Sequence, residues 1–104
     1  MKEIYMEEVQ LTLNEKNRGA FYALNEGAEE GRMEIGIADD KLTVYHTEVA
    51  PAAEGKGLAK KLLAAMADYA RNNHLKVIPL CPFVNAQFNR HPEEYADIRF
   101  NPST

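Results

Sequence analysis

One cysteine, Cys81, is the only thiol in this 104-residue chain. A lone cysteine excludes an internal disulfide and falls short of a cysteine-based metal cluster, so a reducing cytoplasm is the expected compartment. No window approaches the roughly 20 apolar residues that a membrane-spanning helix needs. The opening "MKEIYMEEVQ" carries acids where a secretory leader would have its apolar stretch. Basic residues are scarce too: 12 Lys and Arg against 16 Asp and Glu leave a formal charge of -4. Non-specific affinity for nucleic acid comes mainly from cations neutralising phosphates, and there is no basic stripe with interleaved aromatics, so a nucleic-acid partner is not expected. The 3 histidines and the single cysteine form no set at metal-ligand spacing, and no metal is expected. Repeats, linkers and low-complexity segments are absent. What remains is a chain with 45% hydrophobic residues, enough for one modest core. The expectation is a single soluble domain over residues 1–104, a monomer or weak dimer.

The apolar pattern changes period along the chain. In "EVQLTLN", Val9, Leu11 and Leu13 alternate with polar neighbours, the period of a half-buried strand. "RGAFYALNEG" reads as a second strand ending at Asn25 to Gly27. "GRMEIGIAD" sets Met33, Ile35 and Ile37 on one face, "DDK" supplies a tight turn, and "KLTVYHTEVA" alternates again. Four strands with short turns imply an antiparallel meander. Pro51 stops the fourth. From Gly57 to about Asn73 the spacing becomes helical, with Leu58, Leu62, Leu63, Met66, Tyr69 and Ala70 on one face. "LKVIPLC" is a short, nearly all-apolar strand, and "FVNAQFNRHPEEYADI" predicts one or two short helical turns. Strand, glycine-bearing turn, helix and strand form a β-α-β unit appended to the meander. The expected class is α/β (α+β) with a mixed sheet.

The turn "AAEGKGLAKK" places Gly55 and Gly57 ahead of that helix. Amides at a helix start lack intrahelical partners, and glycine lets a phosphate approach them, so the turn is a candidate pyrophosphate cradle; a purely loop-shaping role is the alternative. Two familiar phosphate motifs are eliminated by spacing. A P-loop needs glycine where this chain has Ala50, and Ser or Thr where it has Gly57. A dinucleotide fingerprint needs a third glycine at Lys60 and a place after the first strand of a β-α-β series.

"EGKGLA", at a helix start after antiparallel strands, resembles the R/Q-x-x-G-x-G/A pyrophosphate loop of the GNAT superfamily of acetyl-CoA-dependent N-acetyltransferases. Gly57 and Ala59 stand at its G and G/A positions. "VYHTEVAPAAEGKGLAKKLL" and "VIPLCPFV" are similar to the acetyl-CoA strand, cradle and following strand of the minimal proteins of that superfamily, and the resemblance covers roughly residues 7 to 98. It implies acetyl-CoA as cosubstrate, held at its pyrophosphate by amides of Gly55, Lys56, Gly57, Leu58 and Ala59, with Lys60 beside them. It also implies that Thr47, Glu48 and Val49 run along the pantetheine arm, with Asn85 helping to hold it. Two departures stand out. Glu54 occupies the position of the usual arginine or glutamine, and a carboxylate there repels a diphosphate unless it turns away or Lys56, Lys60 and Lys61 offset it. The chain also ends at "RFNPST" without the C-terminal hairpin of larger members, which implies an open acceptor side.

Transfer of an acetyl group from a thioester to an amine needs a proton acceptor for the ammonium, donors to the oxyanion and a proton for the departing thiolate. His46 is a candidate base; its alternation phase with Leu42 and Val44 favours a hydrogen-bonded core histidine instead. Cys81 is a candidate acid or acetyl acceptor, or equally a small core residue. The resemblance makes the matching cysteine a suggested functional position. Asn85 is alternatively a helix N-cap, Tyr95 lacks the local pattern of a thiolate-protonating tyrosine, and His91 before Pro92 belongs to a turn. The expected function is an N-acetyltransferase with a small-molecule or peptide amine acceptor. An acyl-CoA-binding module with little turnover and a protein-interaction domain are the competing classes.

Overall fold

The computed structural model describes residues 7–102. Alternating apolar residues build five strands in the order β1-β2-β3-β4-β5: β1 (Glu7–Leu13), β2 (Arg18–Asn25), β3 (Ala28–Ala38), β4 (Lys41–Val49) and β5 (Lys76–Pro79). The first four are antiparallel neighbours and β5 runs parallel to β4, as the mixed-sheet expectation requires. Local chemistry closes the first two hairpins. Asn14 Oδ1 accepts from the Lys16 and Arg18 amides at 2.8 and 3.0 Å. Glu26 and Gly27 have φ of 51° and 86°, the two left-handed residues of a type I′ turn.

After β4 a 3-10 turn (Pro51–Ala53) leads into helix α1 (Leu58–Asn72). Two further helices, α2 (Pro82–Arg90) and α3 (Pro92–Tyr95), follow β5. α1 ends in a Schellman motif, with the Leu75 amide bonding Ala70 O at 2.9 Å and the His74 amide bonding Arg71 O at 3.3 Å. His74 supplies the left-handed residue, φ 56°, where glycine is usual. The helices share one face of the sheet: Leu62, Met66 and Ala70 of α1 and Val84 and Phe88 of α2 join Met33, Leu42, Val44 and Val77 in one buried cluster. Burial of each large apolar side chain there contributes roughly 2 kcal/mol. No described element covers the other face.

One irregularity decides the geometry of the site. Glu34 pairs with His46, but Ile35 pairs with Val44, so Tyr45 is an extra residue, a β-bulge in β4. Before it, Leu42 and Val44 point into the core; after it the alternation is inverted. Thr47 and Val49 turn toward the helical face, whereas His46 and Glu48 stand exposed on the open one. The expected placement of His46 beside Leu42 and Val44 is therefore corrected, and the bulge is its physical cause.

Candidate functional site

Gly57 is the N-cap of α1 in the left-handed region, φ 75°, and no side chain caps the helix. Gly55 is left-handed as well, φ 92°, and a Cβ built at either glycine meets nothing within 4 Å. The first amides of α1 thus face open space with no intrahelical acceptor. The first turn holds no acid and carries Lys60 and Lys61 instead, the opposite of the pairing that favours a helix N-terminus, whose partial charge is positive. An anion on these amides compensates the dipole, so the segment fits a diphosphate. Leu58 is buried in the core and offers only its amide; Ala59 is half-buried, while Gly55, Lys56 and Lys60 are exposed. Lys56 Nζ lies 3.4 Å from Glu30 Oε1, so its charge is shared with β3. Glu54 is exposed at the rim.

β5 pairs with β4 only from Lys41 to Val44, and the chain then leaves the sheet as α2. Beyond Val44, no strand among the described residues pairs with β4 on that side. Cys81 sits where the two separate. It is the N-cap of α2 and not the end of the strand, since β5 stops at Pro79. Its amide bonds Val44 O at 3.0 Å, and its thiol donates to Thr47 Oγ1 at 3.2 Å. The side chain is only 2% exposed. The free edge of β4 leads from this apex to the cradle, past Thr47 and half-buried Val49.

His46 and Glu48 occupy the opposite face, with their side chains 52% and 51% exposed. His46 Nε2 lies 2.9 Å from Glu48 Oε1. Arg32 and Glu34 sit directly across on β3, paired with Glu48 and His46 respectively. Arg32 Nε is 3.5 Å from Glu48 Oε2 and 3.3 Å from Glu34 Oε2, within ion-pair reach of both but without a well-aligned hydrogen bond to either. The period-2 pattern of "GRMEIGI" put Arg32 and Glu34 on the outer face, but their meeting with His46 and Glu48 depends on the bulge, which leaves no mark in the sequence.

Asn85 lies inside α2, so it is not a cap. Its Oδ1 accepts from Arg99 Nη2 at 3.1 Å. It lines a cavity of about 700 Å³ with Ile78, Leu80, Phe88 and Phe100, to which no cradle residue contributes. Tyr95 is buried and stacks on Phe88 at 4.6 Å between ring centroids. Burial first, and Glu94 second, push its phenol above the ordinary range. No helix of the described residues is long and apolar enough to cross a membrane.

Residues 20–98 match the family described as GCN5-related N-acetyl-transferase. Among curated proteins nothing matches. A GCN5-like protein from Staphylococcus aureus, solved by solution NMR, is 26% identical over 88% of each chain, with a TM-score of 0.64. The ribosomal-protein-alanine N-acetyltransferase of Brucella melitensis shares the fold at 23% identity and TM-score 0.59, over 78% of this chain and 66% of that one. The ribosomal-protein-S18-alanine N-acetyltransferase of Escherichia coli does so at 16% and 0.59, over 64% of this chain and 43% of its own, so the chain spans less than half the length of that enzyme. The match spans most of β2 and all of β3, β4, α1, β5, α2 and α3, with the glycine turn between β4 and α1, and the chain belongs to the GCN5-related N-acetyl-transferase family.

Proposed function

We propose that this protein is an acetyl-CoA-dependent N-acetyltransferase acting on an amine, either a small molecule or a peptide. The observation that carries the reading, in a chain of this family, is the uncapped, acid-free start of α1 under two left-handed glycines. Amides from Gly55 to Ala59 would hold the CoA diphosphate, with Lys60 nearby. The nucleoside end would lie in a groove of about 310 Å³ between α1 and α2, beginning at Lys60 and bordered by Leu63, Gln87 and His91. The pantetheine arm would follow the free edge of β4 past Val49 to the apex at Thr47 and Cys81.

The helical face thereby serves the acyl donor, and the open face, with His46, serves the acceptor. An ammonium acceptor gives one proton to His46, the neutral amine attacks the thioester carbon, the N–C bond forms and the C–S bond breaks. The second proton lost by the nitrogen balances the one gained by the departing sulfur, which Cys81 would supply and then recover. Burial of Cys81 to 2% leaves no room for an acetyl group on sulfur without rearrangement, which favours the thiol as an acid over a covalent acetyl-cysteine.

The same burial also favours a second reading, an acyl-CoA-binding module with little turnover. An acetylation time course against a panel of amines separates the two, because a binder saturates with CoA yet forms no enzyme-dependent product. In that assay Cys81→Ala is expected to lower kcat by about 10- to 100-fold with the CoA Kd unchanged, the size of effect for loss of one proton-transfer group. Unchanged turnover would assign Cys81 to packing.

A further inference from the structure

We infer that Glu48 is a positioning residue for the acceptor half of the reaction: it fixes the tautomer and orientation of His46 so that Nδ1 is the nitrogen that takes the acceptor's proton. The inference rests on the acetyltransferase reading above and extends it to a residue expected along the pantetheine arm.

The bulge at Tyr45 is what creates the arrangement. Without it, His46 and Glu48 fall on the helical face with Leu42 and Val44; with it, both stand on the open face, two residues apart on one strand. A carboxylate can only accept a hydrogen bond, so the 2.9 Å contact between His46 Nε2 and Glu48 Oε1 requires the proton on Nε2. In the neutral ring Nδ1 is then the bare acceptor. No described residue pairs with Nδ1. The second carboxylate oxygen of Glu48 lies 3.5 Å from Arg32 Nε, directly across the ladder, within ion-pair reach on the side away from the ring. Glu34, directly opposite His46, places a further negative group on the face that an ammonium must reach. Arg32, Glu34, Tyr45 and Glu48 are the charged and titratable groups that surround the ring, and no helix packs over it.

The proton path is short and balanced. The acceptor's ammonium N–H passes its proton to Nδ1, the ring becomes an imidazolium whose Nε2–H remains bonded to Glu48, and the freed nitrogen pair attacks the thioester. After the product leaves, Nδ1 returns its proton to water.

The test compares Glu48→Ala and Glu48→Gln with the native protein in two measurements. Nitrogen-15 shifts of the His46 ring, recorded without substrates at a pH where the ring is neutral, are expected to show the Nε2–H tautomer in the native protein. Glu48→Gln keeps it, because the amide oxygen still accepts, whereas Glu48→Ala gives a mixture. Initial rates with acetyl-CoA and an accepted amine are expected to show kcat falling about 10-fold in Glu48→Ala, with recovery of most of the loss in Glu48→Gln and no change in KM for acetyl-CoA, the pattern of a group that orients a base. Glu48 is half exposed, so the variants retain the fold, checked by their amide spectra. A raised KM for acetyl-CoA with kcat intact would return Glu48 to the donor side and overturn the inference. So would an unchanged kcat in Glu48→Ala, or a native ring protonated on Nδ1. Failure of the native protein to acetylate any amine would sink the enzymatic reading itself and this role with it, whatever the ring shifts show.

Discussion

At the scale of single residues, Gly57 carries the most specific requirement. Its φ of 75° strains any L-residue by about 1 kcal/mol, yet a Cβ there touches no protein atom within 4 Å. A substitution therefore acts on whatever approaches from outside and leaves the packing intact. Gly57→Glu places a carboxylate in the path of the diphosphate and is expected to weaken CoA binding by more than about 10-fold through charge repulsion. Gly57→Ala, with strain alone, is expected to fall between that variant and the native protein. Calorimetric Kd values for CoA check both, and equal affinity in a folded Gly57→Glu protein would refute the cradle. Cys81 and His46 illustrate a different dependence on context. Each was recognisable as a candidate from residue type, but sequence spacing alone could not orient either. Cys81 turns inward as the cap of α2 because β5 ends at Pro79, and His46 turns outward because Tyr45 is inserted.

At the scale of elements, the regular segments were legible because their periods are strong. The α1 stripe Leu58, Leu62, Leu63, Met66 and Ala70 is the buried face in the fold, as the 3.6 period requires. The strands of the meander fall where alternation put them, though β3 begins earlier, at Ala28, since the tight turn at Glu26 and Gly27 lets pairing start at once. α2 was legible only as helical turns. "PFVNAQFNR" has just Val84 and Phe88 buried, too few apolar positions to announce a nine-residue helix. The bulge was not legible at all, because register is a property of the pair of strands and not of either one. The anchoring of the C-terminal segment was equally hidden: Arg71 Nε meets Asp97 Oδ2 at 2.8 Å and Arg71 Nη2 meets Glu94 O at 2.8 Å across 26 and 23 positions of sequence. The hydrogen bond from Arg71 holds the Asp97 carboxyl below the ordinary aspartate range. A depressed pKa contributes stability that is present above the unfolded value near 4 and is lost as pH falls through the folded value. Asp97 is more than half exposed, so the contribution is modest, about 0.5 kcal/mol. Asp97→Asn is expected to lower the urea midpoint at pH 7, with the difference from the native protein closing as pH falls below the ordinary aspartate range. A difference that persists undiminished at low pH would show that the carboxylate charge is not what holds the segment.

At the scale of the whole molecule, the proposed function puts the two halves of the reaction on opposite faces of the sheet. Helices cover one face and bring the α1 N-terminus, the free edge of β4 and Cys81 into one line. The other face is open and carries His46, Glu48, Arg32 and Glu34. β4 runs between the two sets, and its bulge decides which residues point to which side. Composition anticipated the core, and the glycine turn anticipated a helix start with no side-chain cap. The cluster of His46, Glu48, Arg32 and Glu34 on the open face was the part that reading along the chain did not reach, because it is assembled from cross-strand pairs between β3 and β4.

The most direct measurement of the central claim is a titration of nitrogen-15-labelled protein with acetyl-CoA, following the backbone amides. Saturable shifts concentrated at residues 55–60 and extending to Thr47 and Cys81 are the expected result, with Gly57→Glu abolishing them. Silence of those amides at millimolar acetyl-CoA would mean that Gly55 and Gly57 only shape a turn, and that the donor half of the account is wrong.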